Sequence, residues 1–425
     1  MKWLLQTVGG SSEPIIKAIN TLRSDRVIFI CSGNLNGAKG SCSQVLGQGM
    51  VCGKPGEPAT LPNIPMQAGI LEASYDLSVY DADPDDLSQC YEKIADAIAS
   101  IRIQDKDAQV YCDYTGGTKS MSGALAMAAV DDGDIRIMLV TGARRDLVKV
   151  EDGTEFLTPA GTESILLRRL TRELDRLLSQ YDYAAAERII STYLTESPRN
   201  ALAQKWLLAC RAFDAWDRFD HAQAFRLISG ANSLEYTGHL RFLGPLARST
   251  DPCWKGITGY QLVLDVLANA GRRASQGRYD DAVARHYRAV ELLIQTYLWN
   301  SFGVDSGQVE SVAIPDDIQW KEKIEEWPTA LGLIKSWDLA AQLSDPIGSI
   351  WAEAKSRLLQ AGKRRNYSIL AHGTVPIDAR AYAEDRENGM AGFVLEALRV
   401  IGEIDGNVRR LPLPPEFPTT TSPLI

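Results

Sequence analysis

The sequence predicts an α/β domain built on a parallel sheet, followed by a remainder that is entirely α-helical. Residues 1 to about 160 alternate short β-branched runs with helical patterns, as strands and crossover helices require. From about residue 161 strand signals vanish and helical periodicity dominates. Glycine pairs also stand where two of the expected strands run into helices. In order, strands are expected at Trp3 to Val8, Arg26 to Cys31, Asp76 to Tyr80, Gln109 to Tyr114 and Ile135 to Thr141. Helices are expected at Pro14 to Leu22, Leu87 to Ile101 and Lys119 to Val130. The Gly-rich stretch Ser32 to Pro65 reads as an elaborated loop at one end of the sheet, and a hairpin from about Leu147 to Leu157 closes the domain.

The helical part opens with Glu163 to Ser179 and Ala184 to Leu194. An aromatic-Asp-x-Ala helix start occurs at Tyr181 to Ala184, Phe219 to Ala222 and Tyr279 to Ala282, with Asp placed for capping. The irregular spacings of 38 and 60 residues argue for packed helical hairpins and against a repeat array. Further helices are expected at Asp280 to Trp299, Ile318 to Glu326, Ala330 to Leu343, Gly348 to Leu370 and Asp378 to Ile404, which together make a bundle. Leu411 to Ile425 holds five prolines in fifteen residues and should be extended, loose or wrapped on a surface. The expected divisions are 1–160, a helical segment 161–270, a bundle 271–410 and a tail 411–425.

At 425 residues and 45% hydrophobic content the chain can hold two or three domains with real cores. A formal net charge of -9 argues against a protein that coats duplex nucleic acid, so stable duplex DNA binding is not expected and any nucleic-acid substrate must be held locally. The seven cysteines are scattered and never spaced as CxxC, which supports neither a disulfide framework nor a zinc site. No apolar run reaches membrane-spanning length. A cytoplasmic protein is expected.

Two loops carry the first chemical signal. Thr7-Val8-Gly9-Gly10-Ser11-Ser12 follows the first strand, and Asp113-Tyr114-Thr115-Gly116-Gly117-Thr118-Lys119-Ser120 follows the fourth. Each opens a helix, where glycines let backbone N–H groups approach an anion, and Lys119 adds a charge. A phosphate or nucleotide site fits; two tight βα turns are the plain alternative. Gly117-Thr118-Lys119-Ser120 is not a P-loop, and Gly47-Gln48-Gly49 lacks both the third glycine and the strand-turn-helix context of a dinucleotide fingerprint.

These loops resemble the two ligand loops of the CRISPR-associated Rossmann-fold (CARF) domain. The resemblance implies binding of a cyclic oligoadenylate, an activator with no other cofactor needed, between two such domains in a homodimer. It places Gly9, Gly10, Ser11, Ser12, Thr115, Gly116, Gly117, Thr118 and Lys119 around the ring, with Ser32 and Asn34 as weaker members. An even ring size suits two-fold symmetry, and cyclic tetra-adenylate is favoured.

The second signal is Arg365-Asn366-Tyr367-Ser368-Ile369-Leu370-Ala371-His372, just before Gly373 and Pro376. On one helix, Arg365 and His372 would share a face yet lie about 10 Å apart along the axis, so two copies across a dimer make a better site than one. His372 should sit near a helix C-terminus, where the dipole favours positive charge. The stretch resembles the R-x(4-6)-H motif of HEPN ribonucleases, and CARF followed by HEPN is the order in accessory ribonucleases of type III CRISPR defence. That likeness implies a metal-independent endoribonuclease acting on single-stranded RNA, with His372 as acid or base, Arg365 on the phosphate, Asn366 orienting, and Lys363 and Arg364 attracting the RNA. The implied product is a 2',3'-cyclic phosphate.

Two other functions remain open to the sequence. The chain could be a sensor or regulator whose bundle only dimerises, or its CARF-like domain could degrade its own ligand. His372 could merely cap a helix beside the solvated run Lys363-Arg364-Arg365. Glu291 and Tyr297 could support the site, although Tyr297 suits the core better, and His221, His239 and His286 have no recognisable partners.

Overall fold

A computed structural model describes residues 1–34, 39–53, 58–80, 83–143, 153–231, 234–250, 252–318 and 320–424. The chain divides into two compact units, Met1–Arg169 and Leu170–Ile425. Among the described residues no helix is long and apolar enough to cross a membrane.

The first unit carries strands β1 (Lys2–Thr7), β2 (Arg26–Ser32), β3 (Tyr75–Tyr80), β4 (Gln109–Asp113), β5 (Ile135–Thr141) and β6 (Phe156–Pro159). Its helices are α1 (Glu13–Leu22), the short α2 (Ser43–Leu46) and α3 (Ile64–Ala68), α4 (Leu87–Gln104) and α5 (Lys119–Asp132). The sheet order is β3-β2-β1-β4-β5-β6, parallel except for β6 against β5. The five expected strands and three expected helices are all present. Of the expected hairpin only β6 is seen, because residues 144–152 lie outside the described residues.

The central strands are buried on both faces, which explains their unbroken apolar runs. Trp3, Leu5, Val110 and Cys112 pack under α4 and α5, while Leu4, Val8 and Tyr111 face α1 and α3. Strand order reverses between β1 and β4, and this switch point is where an open α/β sheet leaves a crevice at its carboxyl end.

In the second unit, α7 (Tyr183–Glu196), α8 (Ala201–Asp217), α9 (His221–Ala231) and α10 (Thr237–Arg248) follow α6 (Glu163–Leu178), inside which the two units divide. Each of α7 to α10 packs on the next. Asp182 caps α7 by accepting from Ala185 N at 2.9 Å, and Asp220 accepts from Gln223 N at 3.0 Å. The third aromatic-Asp-x-Ala start differs. Tyr279 is already helical, and Asp280 accepts instead from Ile377 N at 2.9 Å, tying a distant loop to the helix.

The bundle is made of α11 (Ile257–Ser275), α12 (Tyr279–Phe302), α13 (Leu333–Leu343), α14 (Asp345–Asn366), α15 (Ala379–Asn388), α16 (Met390–Ile404) and the short α17 (Gly406–Arg409). Trp337, Trp351 and Phe393 stack at its centre. Three helix expectations are corrected. Ile318 to Glu326 keeps only a 3-10 turn at Lys321–Lys323, because the Lys321 ammonium takes the Ile314 carbonyl and the Asp316 carboxylate while Pro328 forces its predecessor to be extended. Asp378 to Ile404 breaks at Gly389, where a Cβ would stand 2.5 Å from Asp385 Oδ1. The third, Gly348 to Leu370, starts three residues earlier and stops at Asn366.

The tail is wrapped on the surface of its own unit. Phe417 is buried against Tyr183, Phe213 and Trp216, with the Arg272 guanidinium 3.7 Å from its ring centre. Tyr183 Oη donates to Pro418 O at 2.6 Å, and Thr421 N donates to Asp175 Oδ1 at 2.6 Å.

Candidate functional site

At the switch point the two glycine loops touch backbone to backbone. A Cβ on Gly9 would lie 2.5 Å from Gly117 N, and one on Gly116 would lie 2.5 Å from Thr7 O. Gly117 also holds φ +87°, a conformation costly for any L side chain. Thr7 Oγ1 donates to Gly116 O at 2.7 Å, and Gln44 Nε2 donates to Gly9 O at 2.8 Å. The β1 and β4 loops therefore form one platform, with Gly10, Ser11 and Lys119 exposed and Gly9, Gly116 and Gly117 half-buried.

Other expected ligand side chains are engaged within the domain, although Asn34 stays exposed. Thr115 Oγ1 bonds Asp113 Oδ1 and accepts from Val140 N at 2.8 Å, so its hydroxyl braces the loop against β5. Thr118 caps α5 by accepting from Met121 N and donates to Pro84 O at 2.8 Å. Ser12 is buried and bonded to Cys52, Ser32 pairs with Ser41, and Asn34 Oδ1 accepts from Gly40 N at 2.9 Å. These five shape the rim; of the expected side chains only Ser11 and Lys119 project freely from it.

Beneath the platform lies Asp113, fully buried at the end of β4. Its Oδ1 accepts from Thr115 N at 3.0 Å, an Asx turn that fixes the glycine pair. Burial pushes its carboxyl above the ordinary range, opposed by the bonds from Thr115 and Gln6. Gln6 escaped the sequence reading and Asp113 entered it only as the start of the second loop, although polar residues ending two buried, otherwise apolar strands are a usable signal.

The second site sits at the end of α14. The chain leaves the helix after Asn366 and folds back, with His372 N donating to Asn366 O at 3.1 Å and Gly373 N to Ser368 O at 3.1 Å. Ser368 and Val375 pair as a short parallel bridge. A Cβ on Gly373 would fall 1.9 Å from Tyr367 O, so only glycine closes this turn. The expectation that Arg365 and His372 lie two turns apart on one helix is thus corrected: the return loop brings the His372 backbone against the last helical residue.

Arg365 lies over the Tyr287 ring of α12, 4.6 Å from its centre, and Nη1 reaches Asn366 Oδ1 at 3.2 Å. Stacking fixes the guanidinium plane without using its outer donors. Burial and the nearby Glu291 raise the Tyr287 hydroxyl above its ordinary pKa. Lys363 and His372 are exposed, whereas Arg364 is held by Glu384 at 2.9 Å. Exposed apolar side chains, Tyr367, Ile369, Leu370 and Val375, flank His372.

Glu291 serves Tyr287, and Tyr297 is core, its Oη donating to Ser344 Oγ at 3.0 Å. The other histidines do have partners. His221 Nε2 meets Asp265 at 2.8 Å, His239 Nε2 meets Glu416 O at 3.0 Å, and His286 Nδ1 meets buried Asp385 at 2.7 Å. Tyr287 was missed by sequence reading, since its spacing on α12 carries no sign of Arg365.

Residues 256–397 match the family model of the Csm6 HEPN domain. The matched span contains Tyr287, Arg365, Asn366 and His372, so the turn at the end of α14 belongs to the part of the chain that carries the likeness. No curated protein matches the chain in sequence. Among solved structures, Enterococcus italicus Csm6 bound to cyclic hexa-2'-fluoro-hexa-dAMP is similar, with a TM-score of 0.61 at 13% identity, covering 97% of each chain. The fold accordingly resembles that Csm6 structure over nearly the whole chain: a Rossmann-like parallel-sheet domain, then helices, with the bundle inside the span that matches the HEPN model. The likeness to type III CRISPR accessory ribonucleases read from the sequence is borne out.

Proposed function

We propose that the protein is a cyclic-oligoadenylate-activated endoribonuclease of type III CRISPR defence that cleaves single-stranded RNA without a metal ion. The observation that carries this is the return loop after Asn366, which brings the His372 backbone back to the end of α14 with its side chain exposed, next to an Arg365 held over the Tyr287 ring, inside the span that matches the Csm6 HEPN family.

In the reaction the ribose O2' hydroxyl gives up its proton as O2' attacks the adjacent phosphorus, the P–O5' bond breaks, and a proton is returned to the departing O5'. His372 moves that proton. Arg365 meets the developing phosphorane charge with donors left free by stacking, and Asn366 orients it. Lys363 holds the RNA backbone, and Arg364 joins it on release from Glu384. The products are a 2',3'-cyclic phosphate and a 5'-hydroxyl. Two copies face each other in a homodimer, joined through the apolar side chains around His372, and each supplies one turn to a composite site.

Activation is assigned to the glycine platform. The structurally similar Enterococcus italicus Csm6 is bound to a cyclic six-nucleotide ring, and on this chain the glycine platform takes a cyclic oligoadenylate of four or six residues through Gly9, Gly10, Ser11, Gly116, Gly117 and Lys119. Ligand shifts the enzyme only by binding the active arrangement more tightly than the resting one. The test mixes protein, single-stranded RNA and each cyclic oligoadenylate in the presence of EDTA. Cleavage should depend on one ring, survive EDTA and vanish in His372→Ala; ring-independent or EDTA-sensitive cleavage sinks the proposal.

A further inference from the structure

The return loop after α14 is bonded mostly to itself and to the helix it leaves. His372 N, Gly373 N and Val375 N donate to Asn366 O, Ser368 O and Tyr367 O, while Tyr367 N and Ser368 N donate to Lys363 O and Arg365 O. Among the described residues, one hydrogen bond joins residues 367–377 to a helix other than α14: Ile377 N donates to Asp280 Oδ2 of α12 at 2.9 Å. The Ile377 side chain packs against the bundle core at the same point.

That bond matters because Arg365 takes its support from α12. Arg365 belongs to α14, yet its guanidinium lies over the Tyr287 ring of α12, 4.6 Å from the centre. The His372 turn is closed on α14, so it must also be registered to α12 if the two groups are to meet one phosphate. Asp280 supplies that register. Asp280 and Tyr287 are seven residues apart on α12, hence on one face and about 10 Å apart along the axis. One helix face thus takes the chain on both sides of His372, Arg365 upstream at Tyr287 and Ile377 downstream at Asp280.

As a helix residue Asp280 has no other task. It stands in the first turn of α12 but accepts from no amide there, and its second oxygen, Oδ1, is buried without a donor. A buried acceptor left open is a cost to stability, so holding Ile377 is what the side chain does. The next element is fixed separately, since His286 Nδ1 meets Asp385 Oδ2 of α15 at 2.7 Å. Losing the Asp280 bond therefore frees the loop and leaves α15 in place. We propose that Asp280 is a positioning residue for His372, holding the return loop through Ile377 in register with Arg365.

The consequence for turnover rests on the ribonuclease reading, but the tie itself can be tested without RNA. In hydrogen exchange on the whole protein, Asp280→Ala should speed exchange over residues 367–377 by ~10-fold or more, with α15 and α16 unchanged. Asp280→Asn, whose carbonyl can accept from Ile377 N, should exchange as wild type does. Unchanged exchange over that loop in Asp280→Ala overturns the proposal. In ring-activated RNA cleavage, Asp280→Ala should lower kcat by ~10- to 100-fold, with KM and ring affinity within ~3-fold of wild type, because a misplacement of about 1 Å costs up to ~10²-fold. Asp280→Asn should stay within ~3-fold of wild type in kcat. A raised KM or weakened ring binding with kcat unchanged refutes the positioning role.

Should Asp280→Ala fail to fold, Ile377→Pro removes the donor from the other side and should give the same loss of kcat; unchanged turnover overturns the proposal. Where both fold, the double variant should be no slower than the slower single one, and losses that multiply overturn the shared bond. A protein whose loop loosens as expected in Asp280→Ala, but whose wild type cleaves no RNA with any ring, upholds the tie and removes the ribonuclease reading.

Discussion

The glycine platform of the first unit and the Arg365–His372 turn of the second are built on opposite plans. The platform is made of backbone. Gly9, Gly116 and Gly117 are needed because main chain meets main chain there, and nearly every hydroxyl around them is spent inside the protein. The turn is made of side chains. Its backbone is closed by Gly373 and Ser368, while Lys363, Asn366 and His372 stand exposed. A site of the first kind should lose its fold and function together, whereas one of the second should lose chemistry with the fold intact.

Removing the imidazole should break the comparison most sharply. His372→Ala is expected to lower ligand-stimulated RNA cleavage by about 10³-fold, in keeping with the loss of a general acid or base. Its thermal midpoint should match wild type, since an exposed side chain contributes within about 0.5 kcal/mol. On the platform, Gly116→Ala drives a methyl into Thr7 O, so calorimetry should record a loss of about 2 to 4 kcal/mol together with lost activation. Full activation with an unchanged midpoint would mean that the close approach is not required.

Two smaller changes sharpen the contrast. Tyr287→Leu removes the ring under Arg365, and loss of about 1 kcal/mol of cation–π holding should cut cleavage about fivefold without altering ligand affinity. The smallest effect is set by His239, whose imidazole burial holds below its ordinary pKa. The folded state resists its protonation, so stability is complete above the ordinary imidazole value and declines as pH falls toward the lower folded one. Denaturant midpoints measured across that window should fall less for His239→Gln than for wild type.

The sheet was legible because buried parallel strands need continuous apolar runs, and the loops because glycine pairs end two of them. The inward turn of Thr115 was not, since it depends on a bond from Val140 of another strand. Nor was the end of α14. Tyr367 to Leu370 continue a helical-looking pattern, and what stops the helix is the Ser368–Val375 pairing with Gly373 pressed on Tyr367. A stop made by residues yet to come leaves no local trace. Arg365, Asn366 and His372 could be named from spacing, but Tyr287 could not, because α12 is about 80 residues away and its face is set by bundle packing.

The docking of Phe417 constrains when the second unit can fold during synthesis. The aromatic box of Tyr183, Phe213 and Trp216 is closed by a ring made long after its walls, with Tyr183 and Pro418 separated by 235 positions. At about 5–20 residues per second the ribosome needs on the order of ten seconds or more to supply that closing ring. Helices α7 to α10 therefore emerge with an open apolar slot. They stay open to a nascent-chain chaperone until Phe417 has emerged and closes the slot.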